Sequence, residues 1–219
     1  MFIDIHTHIK REPSADVIEF LDNVHFVGIH PWFIKDSFMS DFQEIERRHL
    51  NENIPFIGET GLDRLKSNVN FDTQLEVFKM HIELSIKLNR PLVIHCLKAH
   101  SDFLQLLKEI QYSGKFLIHD FSGGEKELDQ YLKYNAYFSF GRSLFRENSK
   151  AEMVFKKVPL DRLFLETDDS TQYSIQEIYQ KGAELRRLES LEDQIIKNFL
   201  AFFNYANDLR PADIFKNFC

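Results

Sequence analysis

The sequence predicts an α/β fold of the TIM-type (β/α) barrel class, with the barrel trimmed or distorted near its N-terminus. Three observations lead there. Short apolar runs recur roughly every 20 to 35 residues. Helical patterns fill the gaps between them. Residues able to bind a divalent cation stand at the ends of five separate runs. A closed barrel gathers such residues from all around its mouth, whereas a doubly wound open sheet, the competing architecture, gathers them mainly at one switch point.

Strands are expected at 2–7, 25–30, 56–60, 91–96, 115–119, 136–141 and 162–167. The runs FIDI, FIG, LVI, FLI and LFL within them are almost continuously hydrophobic, as in parallel strands buried on both faces. The segment DVIEFL at 16–21 is either an eighth short strand or a helical turn. A helix over 36–50 places Phe38, Phe42 and Ile45 on one face, and one over 71–89 places Leu75, Phe78, Ile82 and Ile86 together, with Asp72 as its expected N-cap. Residues 100–111 align Phe103, Leu104, Leu107 and Ile110. Shorter helices fall near 125–134 and 149–157. The last fifth of the chain reads as helices at 174–189, 191–206 and 211–217, the last opened by Pro211. No linker, repeat or low-complexity tract interrupts the pattern, so residues 1–219 are expected to form one domain.

A chain of 219 residues with 43% hydrophobic and 28% charged residues has the composition of an ordinary globular protein. Phenylalanines such as Phe71, Phe78, Phe103 and Phe155 recur at helical core spacing and are expected to fill the core, not to stack on bases. The net charge of -7 argues against bulk attraction to nucleic acid. It remains compatible with a phosphate-bearing substrate, because bound cations invert the local field. Lys10, Arg11, Arg64, Lys98 and Arg142 fall just past expected strand ends, as a positive rim or as scattered surface charge. Two cysteines, Cys96 and Cys219, do not make a disulfide framework, and a reducing, cytoplasmic compartment is expected. The opening MFIDIHTH lacks the basic and apolar regions of a signal peptide, and no apolar run approaches the length of a membrane span.

The chemistry sits at the strand ends. His6 and His8 form an H-x-H pair whose alternation sends both imidazoles to one side. Glu59 follows Phe56, Ile57 and Gly58, and a carboxylate straight after a buried strand is costly unless paired or metal-bound. Its other reading is a buried ion pair with Arg64 or Arg142. His95 and His119 each end an apolar strand, and Asp168 closes the set on the last one. Imidazoles with carboxylates suit one or two divalent cations, zinc, manganese or magnesium. Asp168 and Glu59 are the expected catalytic carboxylates, Asp168 as the base toward water. Asp63 is placed to orient a ligand histidine. His30, in GIHPW, and Arg64 are expected to contact substrate or ligands, with a loop-stabilising hydrogen bond above a packed Trp32 as the alternative for His30. His25, His49, His81 and His100 read as bystanders. No P-loop, dinucleotide fingerprint, nucleophile elbow or cysteine-rich zinc site is present.

Taken in order, DIHTH, VGIHPW, IGETGLD, VIHC, IHDFSG, FSFG and LFLETD resemble the TatD family of metal-dependent deoxyribonucleases within the amidohydrolase superfamily. The resemblance implies a β/α barrel that hydrolyses phosphodiester bonds with a metal-activated water, often from a 3′ end, with DNA, single-stranded or at its 3′ ends, as substrate; the lack of a long apolar run argues against a membrane partner. The resemblance likewise implies one metal site at His6, His8, Glu59 and Asp168 and a second at Glu59, His95 and His119, with Glu59 bridging. The chain departs from the family pattern in reaching VGIHPW within about 20 residues of DIHTH, where relatives fit a further β/α unit. It also carries Leu97 and Asp120 in place of a usual arginine and cysteine, and DSTQYS in place of a proline-rich loop. These departures bear on the substrate more than on the metal. A small-molecule hydrolase of the same superfamily and a metal-binding subunit of a larger assembly remain the competing readings.

Overall fold

The computed structural model describes residues 1–12 and 14–203. The helix expected at 211–217, the end of that at 191–206 and Cys219 lie outside them. Eight strands alternate with or follow one another: β1 (Phe2–Thr7), β2 (Val17–Leu21), β3 (Phe26–Val27), β4 (Phe56–Asp63), β5 (Leu92–Leu97), β6 (Phe116–Ile118), β7 (Ala136–Phe140) and β8 (Leu163–Leu165). Strands β3 to β8 form one parallel sheet in chain order, and β1 and β2 form a parallel pair. The pair completes the ring. On one side Asp168 N donates to His6 O at 3.0 Å and His8 N to Asp168 O at 3.1 Å, and on the other Asn23 N donates to Phe26 O at 3.0 Å. The fold is therefore the expected barrel type, and DVIEFL is its second strand.

Among the described residues seven α-helices accompany the strands: α1 (Phe38–Asn51), α2 (Phe71–Leu88), α3 (His100–Ile110), α4 (Glu125–Tyr131), α5 (Lys150–Phe155), α6 (Ile175–Arg186) and α7 (Glu192–Phe202). The trimming near the N-terminus takes away helices and leaves the strands in place. Among the described residues, no helix follows β1 or β2. Their outer side is covered from the far end of the chain. The Tyr179 hydroxyl on α6 accepts from Ile3 N and donates to Ile3 O, both at 3.0 Å, and Phe20 of β2 packs on Phe199 of α7 at 5.2 Å. No helix of the described residues is long and apolar enough to cross a membrane.

Local chemistry explains most element ends. The cap of α2 is Asn70, whose side chain accepts from Asp72 N at 2.8 Å, so the expected Asp72 cap is moved by two residues. An N-cap needs extended backbone and a side-chain acceptor aimed at the first free amides, and Asn70 supplies both. The strand expected at 25–30 keeps only Phe26 and Val27, and past it the backbone at Gly28 runs so close to Gly58 that a Cβ there would stand 2.7 Å from the Gly58 Cα. Phe78, Phe103 and Phe155 fill the core as expected, while Phe71 is half-buried under the Arg64 guanidinium, 3.4 Å from its ring centre.

Of the histidines read as bystanders, His81 has a structural place. His81 is fully buried. Its Nε2 accepts from Ile29 N at 3.0 Å, and its Nδ1 lies 2.7 Å from Val77 O, so the neutral ring with its proton on Nδ1 satisfies both neighbours. Burial pushes its pKa down to about 4. The unfolded chain then takes up a proton below the ordinary histidine value of about 6.5 while the folded one does not, so stability falls from there to about pH 4 and levels off below. His81→Gln keeps one donor and one acceptor without titrating. Denaturant unfolding at pH 7 and pH 4.5 should show the variant losing roughly 2 to 3 kcal/mol less on acidification than the parent chain.

Candidate metal centre

The floor of the barrel mouth is shaped by a break in the β4–β5 ladder. Ile57 pairs with Leu92 and Thr60 with Ile94, so three steps on β4 face two on β5. Such a bulge re-aims a side chain. Here Gly58 and Gly61 bracket it at φ 138° and 141°, a region closed to residues with a Cβ. A Cβ on Gly58 would stand 2.3 Å from Val93 O, and one on Gly61 2.0 Å from His95 O. Glu59, between them, is almost wholly buried and turns its carboxylate into the mouth.

Its two oxygens face different neighbours. Glu59 Oε2 lies 3.4 Å from His6 Nε2 and 3.2 Å from His8 Nε2, which are 3.1 Å from each other. Asp168 Oδ1 joins this group at 3.6 and 3.5 Å from the same two nitrogens. Glu59 Oε1 lies 2.8 Å from His119 Nε2, 3.2 Å from His95 Nδ1 and 3.1 Å from His30 Nε2. All six strand-end residues expected from the sequence therefore meet, in two groups that share one carboxylate. Burial alone would raise the Glu59 carboxyl, but the imidazoles of His119, His30 and His6 hold it well below the usual carboxylate range.

Further carboxylates fix which nitrogen faces the centre. His8 Nδ1 is 3.2 Å from Asp22 Oδ2, and His95 Nε2 is 3.0 Å from Asp63 Oδ2. Against the effect of burial, the carboxylates on both sides raise the pKa of His8 and His95. A cation that displaced the inner protons would leave His8 Nε2 and His95 Nδ1 as its lone-pair donors, with the outer protons kept toward Asp22 and Asp63. His30 differs. Its Nδ1 accepts from Trp32 N at 3.1 Å, so the neutral ring carries its proton on Nε2 and donates it to Glu59. Burial lowers the His30 pKa, which favours that neutral form. His30 is thus built as a hydrogen-bond donor beside the groups that offer lone pairs. Lone pairs of two imidazoles and two carboxylates converging within 3.1 to 3.6 Å need positive charge between them, and this donor set fits a divalent cation.

Several neighbours were not singled out from the sequence. Glu166, fully buried, accepts from Asp120 N at 2.6 Å and from Ser139 Oγ, and lies 3.7 Å from His119 Nδ1. It is two residues before Asp168 and so shares its side of the chain, a signal available in the sequence. Asp22 lies in a loop and had none. The loop hydrogen bond offered as the alternative for His30 is present, and Trp32 packs edge-on against the His30 ring at 4.9 Å, but it is 39% exposed on the wall of a cavity of about 850 Å³ that opens over the centre. Arg64 stands apart, paired with Asp102 at 2.7 Å, and the Glu59 carboxylate pairs with neither Arg64 nor Arg142. Of the five basic residues expected at the rim, Arg142 alone lines this cavity, paired with Asp169, and Lys66 and Arg48 line it as well.

The profile of the family described as TatD related DNase matches residues 12–204. The protein named uncharacterized metal-dependent hydrolase YabD of Bacillus subtilis is 34% identical over 159 residues, 71% of this chain and 62% of its own length. The human protein named 3'-5' RNA nuclease TATDN2 is 30% identical over 146 residues, 64% of this chain and 19% of its own. The chain thus spans less than two-thirds of the length of these curated relatives. Among solved structures, the TatD homologue YJJV of Escherichia coli aligns with a TM-score of 0.72 at 20% identity, over 87% of this chain and 78% of that one, a likeness of fold.

The bulge yields a direct test. Gly61→Ala drives a Cβ into the His95 carbonyl, a backbone atom that no rotamer change can move aside. Denaturant unfolding should show a loss of roughly 2 to 4 kcal/mol. The surviving folded fraction should hold less metal after dialysis than the parent chain, since His95 has to shift.

Proposed function

The chain belongs to the TatD related DNase family, and from that premise we propose that it is a metal-dependent hydrolase of nucleic-acid phosphodiesters. The observation that carries the reading is the Glu59 carboxylate, with one oxygen facing His6 and His8 and the other facing His95 and His119 at the floor of an open cavity. His6, His8, Asp168 and Glu59 Oε2 would hold one divalent cation, and His95, His119 and Glu59 Oε1 a second; magnesium, manganese and zinc suit the set. When bound, the cations supply a polarised phosphoryl oxygen and a water acidic enough to attack at neutral pH.

The chain's own groups do the rest. Asp168 reaches the cavity surface and is ionised, its carboxyl held below the ordinary range by His119, His6 and His8 against the effect of burial. It accepts the proton of the attacking water. His30 donates its Nε2 proton to Glu59 at the same floor and so steadies the carboxylate that both cations would share. Asp22 and Asp63 keep His8 and His95 in the tautomers that the cations require. The substrate is DNA, attacked from a 3′ end. RNA is the second candidate, because a human relative is named an RNA nuclease.

A time course on end-labelled single-stranded DNA and RNA, with magnesium, manganese or zinc, tests this. A ladder of stepwise products is expected from the parent chain, abolished by a chelator. Asp168→Asn should lower the rate by roughly a hundredfold or more, as loss of a positioned base does. Protein shown to hold metal but unable to cut either strand would end the nuclease reading.

A further inference from the structure

One part of the cavity wall is not used by the chemistry above. Residues 30–33 form a tight turn, closed by Phe33 N donating to His30 O at 2.9 Å and tied down by Ser67 Oγ donating to Pro31 O at 2.8 Å. From this turn Trp32 and Phe33 both line the cavity, 39% and 68% exposed, with ring centres 6.4 Å apart and planes at 77°, so each ring offers a face of its own. The Trp32 ring is not free to turn: its Nε1 donates to Asp63 Oδ2 at 2.6 Å, the same oxygen that meets His95. Lys66 Nζ lies 5.3 Å from the Trp32 ring centre, and among the described residues Lys66 forms no ion pair.

An isolated exposed aromatic is ordinary. Two adjacent ones on the wall of a cavity, one of them held by a hydrogen bond, beside a lysine with no ion pair among the described residues need a further reason. Their place supplies it. The His30 ring touches the Trp32 ring at 4.9 Å, the Phe33 ring at 5.4 Å and the Glu59 carboxylate at 3.1 Å, so the aromatic wall begins one side chain away from the proposed cations. A net charge of -7 gives no general attraction for a polyanion, so a strand must be held by local contacts. Stacking on aromatic faces holds any base whatever its sequence, and does so without charge.

We infer that Trp32 and Phe33 are a stacking platform for an unpaired nucleobase next to the scissile phosphate, with Lys66 at the adjoining phosphate. This rests on the nuclease reading and deepens it: a base can lie on these rings only when it has left a duplex, so the substrate is a single strand or a frayed end. The rings carry binding; the cations and Asp168 carry cleavage. Asp63 joins the two, since one oxygen orients both the Trp32 indole and the His95 imidazole.

Trp32 is the chain's single tryptophan, so its emission reports on this wall alone. The probe is a short phosphorothioate-linked oligothymidylate, which resists cleavage, carrying a 5′ label for anisotropy. A second probe lacks its two 3′-terminal bases. With magnesium-loaded protein, the complete strand should quench Trp32, the abasic strand should not, and it should bind roughly tenfold more weakly. Phe33→Leu should weaken binding of the complete strand severalfold, part of the way to the abasic level, and leave binding of the abasic strand unchanged. Binding of both strands with equal affinity and unchanged emission would overturn the platform while leaving the nuclease reading intact. Binding of neither strand, together with absence of cleavage, would remove the nuclease reading and the platform with it.

Discussion

A buried carboxylate with nowhere else to go organises this molecule. Glu59 sits at 4% exposure, where an unpaired negative charge is strongly unfavourable, and it is ionised because imidazoles crowd both of its oxygens. Every strand that supplies one of those imidazoles is thereby committed to a register. β1 must present His6 and His8, β5 must present His95, and the end of β6 must present His119. The bulge between Gly58 and Gly61 gives β4 the extra residue that lets the carboxylate enter the middle of the ring. A regular strand here would leave the same sequence with an ordinary barrel and no centre.

The centre also straddles the seam of the barrel. His6 and Asp168 face each other across the junction of β1 with β8, which is joined by backbone hydrogen bonds at His6, His8 and Asp168 themselves. A second buried carboxylate secures the junction one turn of chain away. Asp4 accepts from Thr167 N at 2.9 Å and from Thr167 Oγ1 at 2.6 Å, and burial lifts its carboxyl to about 7. Arg11 reinforces it, standing 3.6 Å from Asp4, 3.2 Å from Glu19 and bonded to Ser170 O at 3.3 Å. The polar groups that close the ring and those that face the cavity are therefore one connected network, and the geometry of the donors depends on how firmly the ring is shut.

Much of this was legible because the donors break the rule that governs their surroundings. Histidines and carboxylates at the ends of apolar strands stand out against a core that tolerates neither, so the six strand-end residues and Asp63 could be placed without knowing any distances. What stayed hidden depends on backbone direction, which composition does not encode. GETG reads as a strand end, and only the φ values show that its glycines make the bulge. Arg64 is one residue past β4, where the chain has turned toward Asp102, so proximity to Asp63 in sequence did not carry it to the cavity. Trp32 looked like packing because tryptophan usually is; its indole is instead held at the surface by Asp63. Among the described phenylalanines Phe33 departs furthest from the expectation, since the residue type that fills the interior there faces the opening.

The missing helices after β1 and β2 have a consequence for how the ring is assembled. In a regular β/α barrel each strand is covered by the helix that follows it, so cover arrives with the next stretch of chain. Here the outer side of β1 is closed by Tyr179, 176 residues away, and its seam by Thr167, 163 residues away. Closing so large a loop has to precede any reward from those contacts, and such non-local pairing is slow. The first strands laid down are thus the last to be sheltered: until the chain after β8 pairs with β1 and α6 and α7 dock, they present an unpaired edge and an uncovered apolar face. An economy of length at one end of the chain has become a dependence on the other.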